Sequence, residues 1–218
     1  MLAPFQRQLE WIYEVEIPHS VDDFLITDRE VLRVIQGDEA PGEPEVDEKL
    51  LVVQDGDHLD ISLYISDEVM SRLADDHPES RLHDGNIADF CTAIEGVSHF
   101  VYLIWNASYE RAVSLMELEM QAEIDKYVST AFLFGQQDSG RVPPSLHSWL
   151  FEQPEYDSSL DQESLERYQD ANYYAGRYCA RLERRYLGRN GQAGIFSDLR
   201  RLYRLTNNAK RCRAVEGT

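Results

Sequence analysis

The fold class is decided by residues 50–65, which read LLVVQDGDHLDISLYI. Two runs rich in β-forming residues flank Asp55-Gly56-Asp57, and an Asp-Gly pair between such runs is a strong hairpin signal. In the second run apolar and polar residues alternate, so one face of that strand is expected to be buried. Ser66 follows directly and is expected to cap a helix. The sequence therefore predicts a β-hairpin that leads into a helix.

Downstream of the hairpin the sequence predicts two long helices. Residues 108–134 contain no Gly or Pro and repeat apolar side chains at spacings of three and four, which is typical of a core helix. A second helix is predicted from Ser159 to about Leu187, and a last one from Ser197. The expected fold class is therefore α+β: a small antiparallel sheet in the N-terminal half packs against two long helices, and a basic helical tail follows.

Five shorter segments complete the assignment. Residues 11–17 alternate in part and predict a strand. Residues 27–35 predict a short helix, with a strand as the alternative. Residues 86–97 predict a helix, whereas residues 99–105 fit either a buried strand or a core helix. Residues 36–48 contain Pro, Gly and six acids, and predict a surface loop.

Charge is divided unevenly along the chain, whose net charge is −19. Residues 1–176 hold 37 acidic and 10 basic side chains, whereas residues 177–218 hold 11 basic and three acidic ones. A body this acidic favours solubility and argues against nucleic-acid binding by the body. We therefore expect an acidic α+β domain over residues 1–187 and a basic helical tail over residues 188–218 that docks on it.

Cysteine content and apolar runs bear on location. Cys91, Cys179 and Cys212 are far apart and form no CxxC pair, so neither a disulfide framework nor a zinc site is indicated. The longest apolar stretch, residues 100–105, is far shorter than the roughly 20 residues of a membrane helix. The first residues lack the pattern of a secretory signal. The sequence predicts a protein of a bacterial-type cytoplasm, with no membrane span.

Two stripes of side chains on the predicted helix 108–134 are candidate metal ligands. One stripe holds Glu117, Gln121 and Asp125, and the other holds Glu119 and Glu123. Oxygen ligands one turn apart converge on the same side of a helix, where they can hold a divalent cation. The alternative interpretation is a solvated acidic face that pairs with Lys126.

A thiol site is a further possibility, because Cys91, His99 and Asp89 are the raw materials of a nucleophile and its base. Their spacing does not require proximity, and a packing role is the alternative for the cysteine. The patterns HExxH, GxSxG and GxxxxGK[ST] are absent from the sequence, which removes the familiar hydrolase and nucleotide-binding signatures. No cofactor is implied.

The C-terminal part of the chain offers candidates for binding an anion or a partner. Arginine interleaved with tyrosine can grip phosphates and stack on unpaired bases. The glycine-rich loop 188–194 precedes the last predicted helix and could cradle an anion, although a plain inter-helix loop is the alternative. The candidate residues are Arg181, Arg184, Arg185, Arg189, Arg200, Arg201 and Arg204.

Three hypotheses for function follow. The first, favoured by the divided charge and the missing catalytic signatures, is a non-enzymatic interaction or adaptor protein. Its tail would bind an acidic protein surface, its own acidic body or another copy in a homo-oligomer. The second is a divalent-metal-dependent hydrolase that uses the helix carboxylates. The third, which the acidic body disfavours, is a single-stranded nucleic-acid binder that uses the tail.

Overall fold

The computed structural model describes residues 1–37, 46–56, 58–187 and 194–216. This part of the chain forms nine α-helices and three β-strands. The helices are α1 (Ala3–Tyr13), α2 (Arg29–Gln36), α3 (Asp67–Asp75), α4 (Ile87–Ala107), α5 (Leu115–Gln137), α6 (Leu146–Phe151), α7 (Gln162–Leu182), α8 (Ile195–Tyr203) and α9 (Asn207–Val215). The strands are β1 (Leu25–Ile26), β2 (Glu48–Asp55) and β3 (His58–Ile65). The predicted α+β class is confirmed.

The strands form one small sheet in the order β1-β3-β2. β2 and β3 pair antiparallel as the predicted hairpin, with Leu50 opposite Leu63. β1 adds a short parallel strand on the other edge of β3, which the sequence did not predict. Leu63 is completely buried and lies against Gly96 of α4. The sheet therefore covers one side of a long helix.

Three long helices, α4, α5 and α7, lie at the centre of the fold, one more than the sequence predicted. The third arises because residues 86–105, which were divided into two segments, belong to the single helix α4. α5 begins later than predicted, because Ser114 caps it and forms a capping box with Glu117. Contacts of Cys91 with Thr130 and of Ser98 with Asp125 show that α4 and α5 run antiparallel.

The strand predicted at residues 11–17 is wrong. Residues 11–13 end α1, in which Phe5, Leu9 and Ile12 are buried at helical spacing. That period extends over the whole N-terminal segment and outweighs a partial alternation over a few residues. Pro4 also suits a helix start, because the first turn needs no amide donor from it.

Other segment boundaries shift by a few residues. Asp161, rather than Ser159, caps α7, and α7 gives way to a π-helical turn at Glu183–Leu187. The single helix predicted from Ser197 is two helices, α8 and α9. Most of the predicted loop 36–48, namely residues 38–45, lies outside the described residues, as does segment 188–193 of the predicted anion-binding loop.

The basic C-terminal helices share the hydrophobic core with the acidic body. Leu199, Leu202 and Tyr203 are buried in the same cluster as the apolar face of α1. The rings of Tyr203 and Tyr13 are stacked with their centroids 4.0 Å apart. The division of the chain at residue 188 stays a prediction.

Helix α4 is, among the described residues, the one helix long and apolar enough to cross a membrane by length and composition. In this fold 78% of its most apolar stretch is buried inside the protein. A buried core helix can have the same length and composition, and the apolar side chains of α4 lie in the hydrophobic core of this fold.

Candidate metal centre

The first predicted stripe on α5 is turned into the core rather than toward solvent. Glu117 is 6% exposed and closes the capping box by accepting from the amide and the hydroxyl of Ser114. Gln121 and Asp125 are 0% and 1% exposed. The alternative of a solvated acidic face is therefore wrong for this stripe.

Asp125 is the centre of a buried hydrogen-bond network. Its carboxylate accepts hydrogen bonds from the hydroxyls of Tyr13 and Ser98 and from the amide of Gln121. Burial raises the pKa of Asp125 to about 6, although each of these three donors acts in the opposite direction. These three donors come from α1, α4 and α5, so the Asp125 carboxylate connects the three helices.

Lys210 of α9 completes this network from the basic tail. Its Nζ donates to the Gln121 Oε1 at 2.8 Å and lies 4.0 Å from the centre of the Tyr102 ring. The lysine side chain is completely buried, and burial lowers its pKa to about 7 against the opposing effects of Glu117 and Asp125. The side-chain carbonyl of Gln121 therefore accepts a hydrogen bond from the tail, and its side-chain NH2 group donates hydrogen bonds within the acidic body. This arrangement favours a structural role for the first stripe.

The second predicted stripe, Glu119 and Glu123, faces a pair of polar side chains on α4. Glu95 and His99 lie one turn apart on α4, opposite Glu119 and Glu123 of α5. One ligand atom each from Glu95, His99 and Glu119 lies within 4.8 Å of the other two. Two carboxylates and an imidazole that converge in this way match the ligand types of a transition-metal site.

His99 is oriented as a metal ligand would be. Its Nδ1 lies 3.3 Å from the Oε1 of Glu48, and this carboxylate is the acceptor for a proton on that nitrogen. The opposite nitrogen, Nε2, is buried and has no hydrogen-bond partner among the described residues. It lies 3.5 Å from Oε2 of Glu119, which is an ion-pair contact without a hydrogen bond. A histidine that binds a metal typically has a carboxylate on one ring nitrogen and uses the other nitrogen as the ligand, and Nε2 of His99, which makes no hydrogen bond within the described part of the chain, is the nitrogen in that position.

Charge around the site is predominantly negative. Burial alone would lower the pKa of His99, but Glu48 and Glu119 raise it well above its usual value. Burial raises the pKa of Glu48 and of Glu123, although nearby His99 and Lys126 oppose the change. The pKa of Glu95 falls, because Lys126 and His99 outweigh its burial. Four carboxylates in so small a volume attract a cation.

Two basic side chains border these carboxylates. Lys126 Nζ lies 2.9 Å from Glu95 and 2.7 Å from Glu123. The Nε of Arg167 on α7 lies 3.9 Å from Glu119. The expected pairing of the second stripe with Lys126 is therefore present, but it is a buried pairing rather than a solvated one.

The predicted thiol site is not assembled. The Sγ of Cys91 contacts the hydroxyl of Thr130, and burial raises the pKa of this thiol to about 11. Asp89 pairs with Arg72 at 2.7 Å. Cys91 and His99 lie two turns apart on α4, a rise of about 12 Å. The packing alternative is therefore favoured for Cys91, and His99 belongs to the carboxylate cluster.

Four of the seven candidate arginines bind groups of their own chain. Arg200 and Arg204 donate to main-chain oxygens at the end of α1, those of Ile12 and Glu14, where helix carbonyls lack partners. Arg181 donates to the carbonyls that end α9, and Arg185 lies 3.5 Å from Asp198. These contacts attach the C-terminal helices to the fold.

The remaining candidate arginines differ from these four. Arg184 and Arg201 are exposed. Arg201 borders an open depression that Arg185, Arg213 and Asp198 also line. Arg189 lies outside the described residues. The six candidate arginines that the structure describes are thus not gathered into one binding surface.

Comparison with known proteins gives no further direction. No protein-family model, no curated protein and no solved structure matches the chain.

Proposed function

We propose that the protein binds one divalent transition-metal ion through Glu95, His99 and Glu119. The observation that carries this proposal is the buried Nε2 of His99, which makes no hydrogen bond among the described residues and lies 3.5 Å from the Glu119 carboxylate. The residue is 7% exposed, its other ring nitrogen faces Glu48, and Nε2 points into the carboxylates. An unpartnered buried nitrogen is unfavourable, and a metal ion would satisfy it together with the carboxylates.

The ligand set suggests which ions the centre binds. Imidazole suits zinc, iron and copper, whereas carboxylate suits manganese and harder ions. One imidazole with two or more carboxylates therefore fits Zn²⁺, Fe²⁺ and Mn²⁺ better than Ca²⁺ or Mg²⁺. Three protein ligands would also leave a coordination position for water, as in catalytic zinc sites.

Hydrolysis is the activity that we propose for such a centre. A bound divalent ion lowers the pKa of its water and generates a nucleophile near neutral pH. The Glu95 side chain is 26% exposed, compared with 8% for His99, so this edge of the cluster is the side on which a substrate would approach. The metal-dependent hydrolase hypothesis thereby becomes more specific, with Glu95 and His99 added to Glu119.

Metal titration tests the binding proposal directly. We would titrate the purified chain with Zn²⁺ and with Mn²⁺ in a calorimeter and follow thermal unfolding at each metal concentration. Binding to the folded state alone stabilises it by about 2.7 kcal/mol when free metal is 100 times the dissociation constant. His99→Gln should weaken binding at least tenfold, whereas His58→Gln changes an exposed histidine on β3 and should not. Equal binding by wild type and His99→Gln would contradict the proposal.

Hydrolytic activity needs a separate assay. Bis-p-nitrophenyl phosphate reports phosphodiester cleavage without knowledge of the natural substrate. Activity that requires added metal and is lost in Glu119→Gln would support the hydrolase. Metal binding without activity on ester probes of several classes would leave a metal-binding protein and count against hydrolysis.

A second candidate function, protein–protein interaction, is favoured by α2. Val31, Val34 and Ile35 lie on one side of this helix and are 41%, 79% and 44% exposed. Apolar helix faces of this kind dock into grooves of partner proteins. Residues 1–176 carry 27 more acidic than basic side chains, so a partner with a basic surface is favoured. This differs from the acidic partner expected from the tail, because four of the candidate arginines, including Arg200 and Arg204 of the tail, are engaged within the fold.

Val34→Asp tests this surface. The substitution charges the exposed face of α2 without changing the core, and Val53→Asp on β2 is a control at another exposed valine. A basic protein captured from lysate by wild type and by Val53→Asp, but not by Val34→Asp, would support the proposal. Capture that Val34→Asp does not alter would contradict it.

A further inference from the structure

Lys126 occupies the position that a second metal ion would take in a carboxylate centre. Its Nζ lies 2.9 Å from Glu95 Oε2 and 2.7 Å from Glu123 Oε1. The side chain is 14% exposed, so the ammonium is largely withdrawn from water. The two carboxylates come from different helices, α4 and α5, as the ligands of a metal between two helices do.

Glu95 connects this position to the proposed metal position. One of its carboxylate oxygens lies within the cluster formed with His99 and Glu119, and Oε2 accepts from Lys126. A carboxylate shared between two cations is the usual link in two-metal hydrolases, whose ions lie about 3.5–4 Å apart. The geometry thus contains two neighbouring cation positions, and Glu95 belongs to both.

We infer that the Lys126 ammonium is a built-in second cation that restricts an otherwise binuclear carboxylate centre to one metal ion. This inference rests on the proposed metal binding by Glu95, His99 and Glu119. A lysine ammonium carries one fixed positive charge on a flexible stem. It can neutralise Glu95 and Glu123 without any metal, and it excludes a second ion by occupying the space between them.

Charge supports the same conclusion. Glu48, Glu95, Glu119 and Glu123 bring four carboxyl groups to the site, and the fixed cations beside them are Lys126 and Arg167. One divalent ion with these two cations balances the four carboxylates. Removal of the ammonium would leave this balance one positive charge short and Glu123 without the cation that it contacts, and a buried unpaired charge is strongly unfavourable. A second divalent ion would relieve it.

Metal stoichiometry distinguishes the one-metal and two-metal centres. Lys126→Met removes the charge and leaves an unbranched side chain that is one atom shorter. Equilibrium dialysis against Mn²⁺, followed by elemental analysis, should give one ion per chain for wild type and two for Lys126→Met. Two manganese ions that share Glu95 should also show a spin-coupled electron paramagnetic resonance spectrum, whereas one ion gives an isolated one.

Two further variants are controls. Lys126→Arg keeps a positive charge at the second position and should still bind one ion. Lys126→Met combined with Glu123→Gln removes a ligand of the second ion and should return to one. If Lys126→Met does not fold, as judged by circular dichroism and gel filtration, Lys126→Gln is measured instead, and it too should bind two ions per chain.

Each outcome has a definite meaning. One ion in wild type and one in a folded charge-free variant overturns the inference and leaves the proposed function intact. Two ions in wild type also overturn it, because the lysine would then exclude nothing. Binding that is absent from both chains overturns the proposed function and this inference with it.

Discussion

The Nζ of Lys210 in α9 lies 2.8 Å from the Oε1 of Gln121 in α5, 89 positions earlier in the chain. Through the amide of Gln121 this contact continues to Asp125 and to the hydroxyl of Tyr13. One glutamine side chain thus links the basic tail, the central helix and the first helix. The stability of the protein should therefore respond to the protonation of Lys210.

Stability should rise with pH above neutrality because of Lys210. Its pKa is about 7 in the folded chain and about 10.4 when unfolded. Between these values the unfolded chain binds more protons, so raising the pH favours the folded state by at most about 1.4 kcal/mol per pH unit. Urea unfolding at several pH values from 7 to 9.5 should show this slope in wild type and a flatter profile in Lys210→Met. Parallel profiles for the two chains would refute the assignment.

Asp125→Ala should destabilise the fold by about 3 kcal/mol. The substitution removes the acceptor of Tyr13, Ser98 and Gln121, and buried donors without partners are unfavourable by about 1–3 kcal/mol each. Chemical denaturation at pH 7 measures the change. Asp170→Ala is the matched control, because Asp170 is exposed and its ion pair with Arg211, at 3.7 Å, is on the surface. Surface pairs of this kind contribute about 0–1 kcal/mol to stability. Similar losses in the two variants would argue against the network.

Gly96→Ala should weaken metal binding through the sheet. A Cβ at this position would lie 2.9 Å from the Leu63 side chain and 3.1 Å from that of Glu48, so these two side chains, including the Glu48 carboxylate, would have to shift. We expect about 1–3 kcal/mol of destabilisation from overpacking and a loss of metal affinity of about tenfold.

Gly135→Ala provides the control for this substitution. Gly135 lies in the last part of α5, where an added Cβ meets nothing within 4 Å. Alanine there should stabilise the helix by about 0.5–1 kcal/mol and leave metal affinity unchanged. Unfolding and metal titration of both variants decide the matter, and unchanged metal affinity in Gly96→Ala would contradict close packing of Glu48 on α4.

Glu48→Gln should reduce metal affinity by about 10–100-fold, because residues that orient a ligating histidine have effects of this size. The amide is nearly isosteric and can still accept from Nδ1 of His99, but it loses the negative charge that polarises the ring. Calorimetric titration with Zn²⁺ measures the change. Asp60→Asn on the exposed part of β3 is a control for loss of one acidic charge. Equal affinity in both variants would show that Glu48 has no role at the centre.

The parts of the fold that could be predicted are those whose sequence signals are local. The Asp55-Gly56 turn and the alternating run after it define the hairpin, and the spacing of apolar residues defines α5. α1 was missed because a short alternation competed with a helical period that extends to Phe5. Residues 99–105 could not be assigned, since a short apolar run fits both structures.

The candidate centre could be predicted only in part. Helical spacing identified Glu119 and Glu123 as neighbours, but it could not show that α4 would lie opposite them. The pair Glu95 and His99 carries the same one-turn spacing and was a usable signal that was overlooked. Glu48 carried no such signal, because its position depends on the packing of β2 against Gly96. The spacing also could not show that the two stripes on α5 have different surroundings. Gln121 of the first stripe accepts a hydrogen bond from Lys210, whereas the second stripe faces Glu95 and His99.

The contacts between Arg200 and the end of α1 have a consequence for how the chain acquires its structure. Arg200 and Ile12 are 188 positions apart, and the stacked rings of Tyr13 and Tyr203 lie beside them. Contacts with such long separation require large loops to close, so they form late and slow the search for the native state. The hairpin and the α4–α5 pair can assemble early from neighbouring segments, whereas the contacts of α1 with α8 must wait until the long intervening segment brings them together. Folding of this chain should end with the joining of α1 and α8, which come from opposite ends of the sequence.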